Sequence, residues 1–230
     1  MGTVINVITV FIGSAIGYFL RSKFSESLKQ QMLYGIGLVT ILLGIQMGLK
    51  TENILIPLGG LLLGGIFGHL IKVDKGLENF ATVLKTRFAD KIDGNGNFME
   101  GFITASLIFC VGPMTILGSI NDGLNGDYQL LAIKSVLDGF TSIALTASLG
   151  IGVGFSIITI IIIQGGFTVS AYYLSSFFST EIINETTAVG GLIIIGLGIL
   201  ILDIKKINIA NFLPAIFITP LIVKIARIFL

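Results

Sequence analysis

Apolar runs of helical length succeed one another along almost the whole chain, parted by short polar turns and one long polar stretch. A helix needs about 20 apolar residues to cross a hydrocarbon core. By that measure the pattern predicts spans near 3–20, 33–49, 54–71, 100–120, 130–149, 151–176, 188–203 and 209–229. The chain reads as an all-α polytopic membrane protein of about eight spans, seven being the alternative count, in a single transmembrane domain over 1–230. The long polar stretch, 72–98, carries Leu77, Phe80, Leu84 and Phe88 at helical spacing, with Lys75, Lys85, Arg87 and Lys91 on other faces. That pattern predicts an amphipathic connector between spans three and four, lying in the interface or packed on the bundle.

Two spans carry helix breakers at mid-depth. Gly112-Pro113 follows the apolar run 102–111, and Gln164-Gly165-Gly166 interrupts the sixth span. Proline lacks an N–H and clashes with the preceding turn, while glycine loosens the backbone. In hydrocarbon every freed backbone group needs a partner, so broken helices are expected only where they pack in protein or line a wet cavity.

Composition sharpens the class. Charged residues make up 12% of the chain, against about 25% in a soluble domain. Hydrophobic residues make up 53%, and mean hydropathy is +0.98. Thirty glycines, among them the Gly13/Gly17 pair, suit helices whose backbones approach closely. A net charge of +1 without a basic cluster argues against a nucleic-acid partner. The lone Cys110, in an apolar run and without a second cysteine for an internal disulfide, reads as a buried thiol, and the lone His69, with no carboxylate or cysteine at metal-ligand spacing, as an interfacial residue. Asp93-Gly94-Asn95-Gly96-Asn97 looks like the start of a calcium loop, but its twelfth position is Thr104 where a glutamate is required, so it is read as a turn. Residues 1–6 have neither a positive region nor a small-residue cleavage site, so the first apolar run is expected to be a span.

Lysine and arginine set the orientation. They follow the first span (Arg21, Lys23, Lys29), fill 72–98 and follow the seventh span (Lys205, Lys206). Segments 121–129 and 177–187 have none, and carry Asp122, Asp127, Glu181 and Glu185 instead. Both termini are therefore expected outside the cytoplasm and 72–98 inside it; Lys224, Arg227 and, more weakly, Lys50 run against this. A faint internal echo relates spans two and three to spans seven and eight, through a glycine-rich span, a Lys-containing turn and a span bearing Pro57 or Pro214. Such an odd offset would make the repeat inverted.

Lys134 and Asp138 lie four apart on one helix face, at a depth where a lone charge costs about 2.5–3.5 kcal/mol. The pair can bind an ionic solute, exchange a proton or lock two helices, and Lys134 can also snorkel to the surface. With the broken backbones, the candidate site comprises Asp138, Lys134, Gln164, Gly112, Pro113, Thr115, Ser119, Asn6 and Asn211. No histidine–carboxylate cluster, nucleophile elbow or phosphate loop is present, which argues against an enzyme, a metal and a cofactor.

The runs Gly112-Pro113-Met114-Thr115-Ile116-Leu117-Gly118-Ser119-Ile120-Asn121-Asp122-Gly123-Leu124 and Lys134-Ser135-Val136-Leu137-Asp138-Gly139 resemble a bacterial integral-membrane family, domain of unknown function 554. Gly2-Thr3-Val4-Ile5-Asn6, Gln164-Gly165 and Asn211-Phe212-Leu213-Pro214-Ala215 extend the resemblance over essentially the whole chain. It implies a multi-pass protein of the bacterial plasma (inner) membrane, of a kind often described as a transporter or channel, with no established substrate. The expected function is secondary transport or channelling of a small polar or ionic solute, with a coupling ion or self-assembly as further expectations. The alternative is a non-transporting membrane module that assembles with itself or a partner. The orientation is testable with Cys110 replaced by Ala: an impermeant thiol reagent added to intact cells should label Asp127→Cys and spare Lys85→Cys. The opposite pattern would reverse the topology.

Overall fold

The structure, a computed structural model, describes residues 1–89, 98–110, 112–175 and 177–229. Lys91 and the 93–97 turn lie outside the described residues, as does Val111. Among the described residues there is no strand. The helices are α1 (Gly2–Arg21), α2 (Glu26–Gly48), α3 (Leu55–Ile71), α4 (Val73–Leu84), α5 (Phe98–Cys110), α6 (Pro113–Asn125), α7 (Gln129–Leu149), α8 (Gly152–Val169), α9 (Ala171–Ser175), α10 (Thr180–Ile201) and α11 (Ala215–Phe229). Among the described residues six helical segments are long and apolar enough to cross a membrane, and up to eight if each bent pair is one span.

Three departures from the apolar pattern have clear physical causes. Helix α2 starts at Glu26, because the Ser25 hydroxyl accepts the Leu28 N–H and caps it well before the apolar run at 33. Helix α10 starts at Thr180, not 188, with Ser179 as its cap. Glu181, Asn184 and Glu185 look like loop residues in sequence, yet Glu185 is fully buried inside the helix. The third difference is a correction: the helix does not break at Gln164-Gly165-Gly166, since α8 runs through to Val169. A glycine inside a helix costs only about 1 kcal/mol, and here no proline adds to it. The interruption falls instead at Ser170, before α9.

Read in sequence as one transmembrane domain, the helices gather in space into two compact units. The first comprises 1–36 and 80–175, the second 37–79 and 176–230.

In the first unit α1 runs parallel to α7 at backbone contact. A Cβ on Gly13 would collide with the Gly139 carbonyl and the Ser142 hydroxyl, and one on Gly17 with the Ile143 carbonyl. Helix α8 runs antiparallel to α1, with Gly154 against Ser14 and Gly165 near Thr3. Helix α5 runs parallel to α8: Gly152 abuts the Phe98 carbonyl, and Ser106 Oγ lies 2.9 Å from Thr159 Oγ1. Farther on, Gly123 of α6 abuts the Thr168 carbonyl at the other end of α8. The pair α5–α6, bent by 59°, therefore follows α8 from end to end, as a single broken span would. The apolar core is Val10, Ala105, Phe109, Cys110, Leu145, Leu149, Val153 and Ile160. Part of the connector packs here too, with Leu84 buried and the Phe80 ring 6.0 Å from that of Phe102.

In the second unit α2 and α10 run antiparallel, Gly44 meeting Gly191 and Gly37 meeting Gly198. Helices α3 and α11 also run antiparallel, with Gly60, Gly64 and Gly68 against Thr219, Ala215 and Asn211. These are the pairs that the sequence echo relates, and each runs opposite to its counterpart, as an inverted relation requires. The anomalous charges at the end of α11 are held locally. Arg227 Nε donates to Glu181 at 2.6 Å, and the Lys224 ammonium sits 3.8 Å from the Phe177 ring centroid.

A methyl group at Gly13 should therefore destabilise the α1–α7 contact. We expect Gly13→Ala to cost about 1–3 kcal/mol, whereas Gly35→Ala, which has open space around its Cβ, should be neutral or better. Thermal unfolding of the two variants in detergent measures the difference.

Candidate functional site

Three helices of the first unit bring their deepest polar side chains together. The buried face of α1 repeats as Gly2, Asn6, Val10, Gly13, Ser14 and Gly17, so Asn6 points inward one turn above Val10. Helix α7 buries Lys134, Ser135, Asp138 and Ser142, and α8 buries Gln164, Ile160 and Ser156. The registers set by the glycine contacts bring Asn6, Asp138 and Gln164 to one level.

The hydrogen bonds form a chain. Asn6 Nδ2 donates to Asp138 Oδ2 at 3.0 Å and to Gln164 Oε1 at 2.9 Å. The Lys134 ammonium pairs with the same Oδ2, one helical turn away on α7. Gln164 Nε2 donates to Thr3 Oγ1 at 3.3 Å. Thr3 Oγ1 lies 3.3 Å from Thr168 Oγ1, and Thr168 donates to the Gln164 carbonyl at 3.0 Å. Asn6 and Gln164 are 0% exposed, Lys134 5% and Asp138 6%. Lys134 therefore does not snorkel. A charge so deeply buried is tolerated because it is paired and the carboxylate is hydrogen-bonded again.

The α5–α6 break lies beside this cluster. Phe109 is in the last turn of α5, and its ring centroid is 6.0 Å from the Lys134 ammonium. Gly112 is extended and caps α6, which begins at Pro113. Thr115 repairs the break, its hydroxyl donating to the freed Phe109 carbonyl at 3.1 Å. Ser119, one turn on, is fully buried, and its hydroxyl has no partner among the described residues.

Of the residues expected from sequence, Asn6, Lys134, Asp138 and Gln164 come together, with Gly112, Pro113 and Thr115 at the adjoining break. Asn211 does not join them. It belongs to the second unit, where its Oδ1 accepts the Asp74 N–H at 3.2 Å and caps the start of α4. Its short polar side chain next to a proline-bearing span is a capping signal as much as a ligand signal. His69 also belongs to the second unit. It lines an apolar recess of about 560 Å³ with Leu62, Gly65, Ile66 and Phe212, a setting that offers an ion little.

Four polar residues escaped the sequence reading. Thr3 and Thr168 lie one turn from Asn6 and Gln164 on the same faces, so helical spacing was the available signal. Asp122, read as a loop charge, is buried in α6 and accepts the Gly2 N–H at 2.9 Å, with the Met1 nitrogen 3.0 Å away. In the second unit, buried Glu185 accepts the Thr51 hydroxyl at 2.7 Å and the Glu52 and Asn53 N–H groups at 2.8 and 3.3 Å. It thereby pins the turn between α2 and α3. The described residues contain no group of three or more His, Cys, Asp or Glu able to hold a metal ion.

The sequence family described as "Protein of unknown function (DUF554)" matches residues 1–224. The chain is 31% identical over 234 residues to "Uncharacterized membrane protein YdfK" of Bacillus subtilis (strain 168), covering 99% of this chain and 97% of that protein. It is 28% identical over 218 residues to "Uncharacterized protein YqgA" of Escherichia coli (strain K12), covering 94% and 93% respectively. No solved structure matches.

The chain of hydrogen bonds predicts a graded response to truncation. Asn6→Ala removes a bond to a charged group and one to an amide, so it should cost about 1.5–3 kcal/mol. Thr168→Val removes the long neutral contact to Thr3 and a local bond within α8 at the end of the chain, and should cost about 1 kcal/mol. Unfolding midpoints in detergent should fall in that order.

Proposed function

The chain belongs to the DUF554 family of membrane proteins, and on that premise we propose that it is a secondary transporter or channel for a small polar or ionic solute in the bacterial plasma membrane. The observation that carries the reading is the cluster of Asn6, Asp138, Lys134 and Gln164, buried on three apolar helices beside a broken span. Ionisable residues at membrane depth are costly and mark solute or ion pathways more often than packing. Asp138 is the charged ligand group, Lys134 its counter-ion, and Asn6 and Gln164 hold the carboxylate in place. The bend between α5 and α6 lies next to them. No phosphate-binding loop is present in the sequence, so movement of the solute is passive or driven by an ion gradient.

A second reading is favoured by one observation: the cluster is closed, and most of its polar atoms satisfy one another. In that case Lys134–Asp138 is a clamp in a non-transporting membrane assembly. Asp138→Asn separates the two. Under the transport reading the variant folds and loses solute or ion binding. Under the clamp reading it strands a buried ammonium, which costs about 3–5 kcal/mol, and Lys134→Met combined with Asp138→Asn restores stability. Thermal unfolding of the single and double variants, beside ion flux in proteoliposomes, decides between them. An unstable single variant rescued by the double, with wild-type flux at background, would refute the transport assignment.

A further inference from the structure

The sign of the charge that this site takes follows from its donors and acceptors. Asn6 is fully buried, and both of its amide hydrogens are committed, one to the Asp138 carboxylate and one to Gln164 Oε1. Turning the amide over would set its oxygen against a carboxylate and a carbonyl oxygen, so this orientation is fixed. Asn6 Oδ1 is thus left as a buried acceptor without a partner among the described residues. An unpaired buried acceptor beside a carboxylate calls for a donor or a cation. An anion finds the opposite: Lys134, the one positive side chain in the cluster, is held by Asp138, and the oxygens of Asn6, Gln164 and Asp138 would face the newcomer.

Resting on the transport reading above, we propose that the solute or coupling ion is a monovalent cation of alkali-metal or ammonium type, bound by the Asp138 carboxylate and Asn6 Oδ1. The Lys134 ammonium is its tethered competitor. A lysine ammonium is a compact monovalent charge on a flexible stem, and it occupies the carboxylate when no free cation does. Displacement exchanges one positive charge for another at Asp138. The released ammonium has the face of the Phe109 ring beside the break within reach, its present centroid distance being 6.0 Å. Cation entry thereby changes the group packed against the α5–α6 junction, so occupancy is coupled to the one bent span of this unit.

Cys110 supplies a reporter for the test, being the chain's single cysteine and buried in the core of this unit. A thiol-reactive fluorogenic dye follows thermal unfolding of the purified full chain at constant ionic strength. Sodium, potassium or ammonium chloride should raise the midpoint relative to N-methylglucamine chloride, while exchanging chloride for nitrate or phosphate at constant N-methylglucamine should leave it unchanged. Lys134→Gln removes the competitor, so the half-saturating cation concentration should fall about tenfold or more, the equivalent of at least about 1.4 kcal/mol. Asp138→Asn should abolish the cation response. If Lys134→Gln yields no folded protein, the cation–anion contrast in the wild type and its loss in Asp138→Asn decide the matter. A response to anions alone would overturn the assigned sign and leave the ionic-solute reading standing. A shift that follows pH alone would overturn the proposal in favour of a proton. If no ion shifts the midpoint and the double Lys134→Gln, Asp138→Asn variant is as stable as wild type, both this proposal and the transport reading fail.

Discussion

Every polar group that enters the membrane interior must find its partner within the protein, because hydrocarbon supplies none. That constraint accounts for the helices themselves and, more tellingly, for the places where they deviate. The α5–α6 break frees the Phe109 carbonyl, and Thr115 answers it from the next turn. The turn between α2 and α3 exposes the N–H groups of Glu52 and Asn53, and the buried Glu185 carboxylate takes both. Gly2 starts α1 with a free N–H, and Asp122 reaches it from α6. Each carboxylate that looks misplaced in an apolar chain is answering backbone or an ammonium. Among the described residues eight buried side-chain oxygens remain unanswered; seven are hydroxyls, and the eighth, Asn6 Oδ1, lies in the cluster around Asp138.

Meeting that constraint requires helices close enough for short side chains to reach across, and glycine makes the approach possible. Between lipid tails and leucine there is little hydrophobic difference, so helix association draws on van der Waals contact and on hydrogen bonds. Gly13 and Gly17 bring α1 onto the backbone of α7. That closeness is what lets an amide as short as Asn6 touch Asp138 on one side and Gln164 on the other. The glycines and the polar cluster are thus two parts of one arrangement: with side chains at 13 and 17, the hydrogen bonds at 6 would have to stretch.

Much of this was legible in the sequence. The spans followed from apolar length, the amphipathic connector from the spacing of Leu77, Phe80 and Leu84, and the Lys134–Asp138 pair from a separation of four. The partnership of Asn6 with Gln164 across 158 residues was not legible, because nothing local encodes which helix faces which. Gln164-Gly165-Gly166 misled for a related reason. Glycine lowers helix propensity, but tertiary contacts with α1 outweigh that local preference, and the helix persists. Gly112-Pro113 did break the helix, since a missing N–H and a steric clash are not repaired by packing. Glu185 and Asp122 were misread as loop residues because charge was weighed without the backbone groups that each would serve.

The helix directions carry the argument one step further. The sequence echo joined spans two and three to seven and eight, and α2/α10 and α3/α11 indeed run in opposite senses at backbone contact. The first and sixth spans are likewise five apart, and α1 and α8 lie antiparallel, joined by Asn6 and Gln164. Three successive helices thus each pack against the helix five spans later. In chain order the α5–α6 span and α7 fall between the two triplets. These intervening spans carry the chain's one Gly-Pro break and the Lys134–Asp138 pair. In carriers built from inverted repeats, the substrate site lies where the repeats meet and includes discontinuous helices. Here the α1–α8 contact, the α5–α6 break and the buried Lys134–Asp138 pair come together, so the proposed carrier site has the parts that such a construction needs.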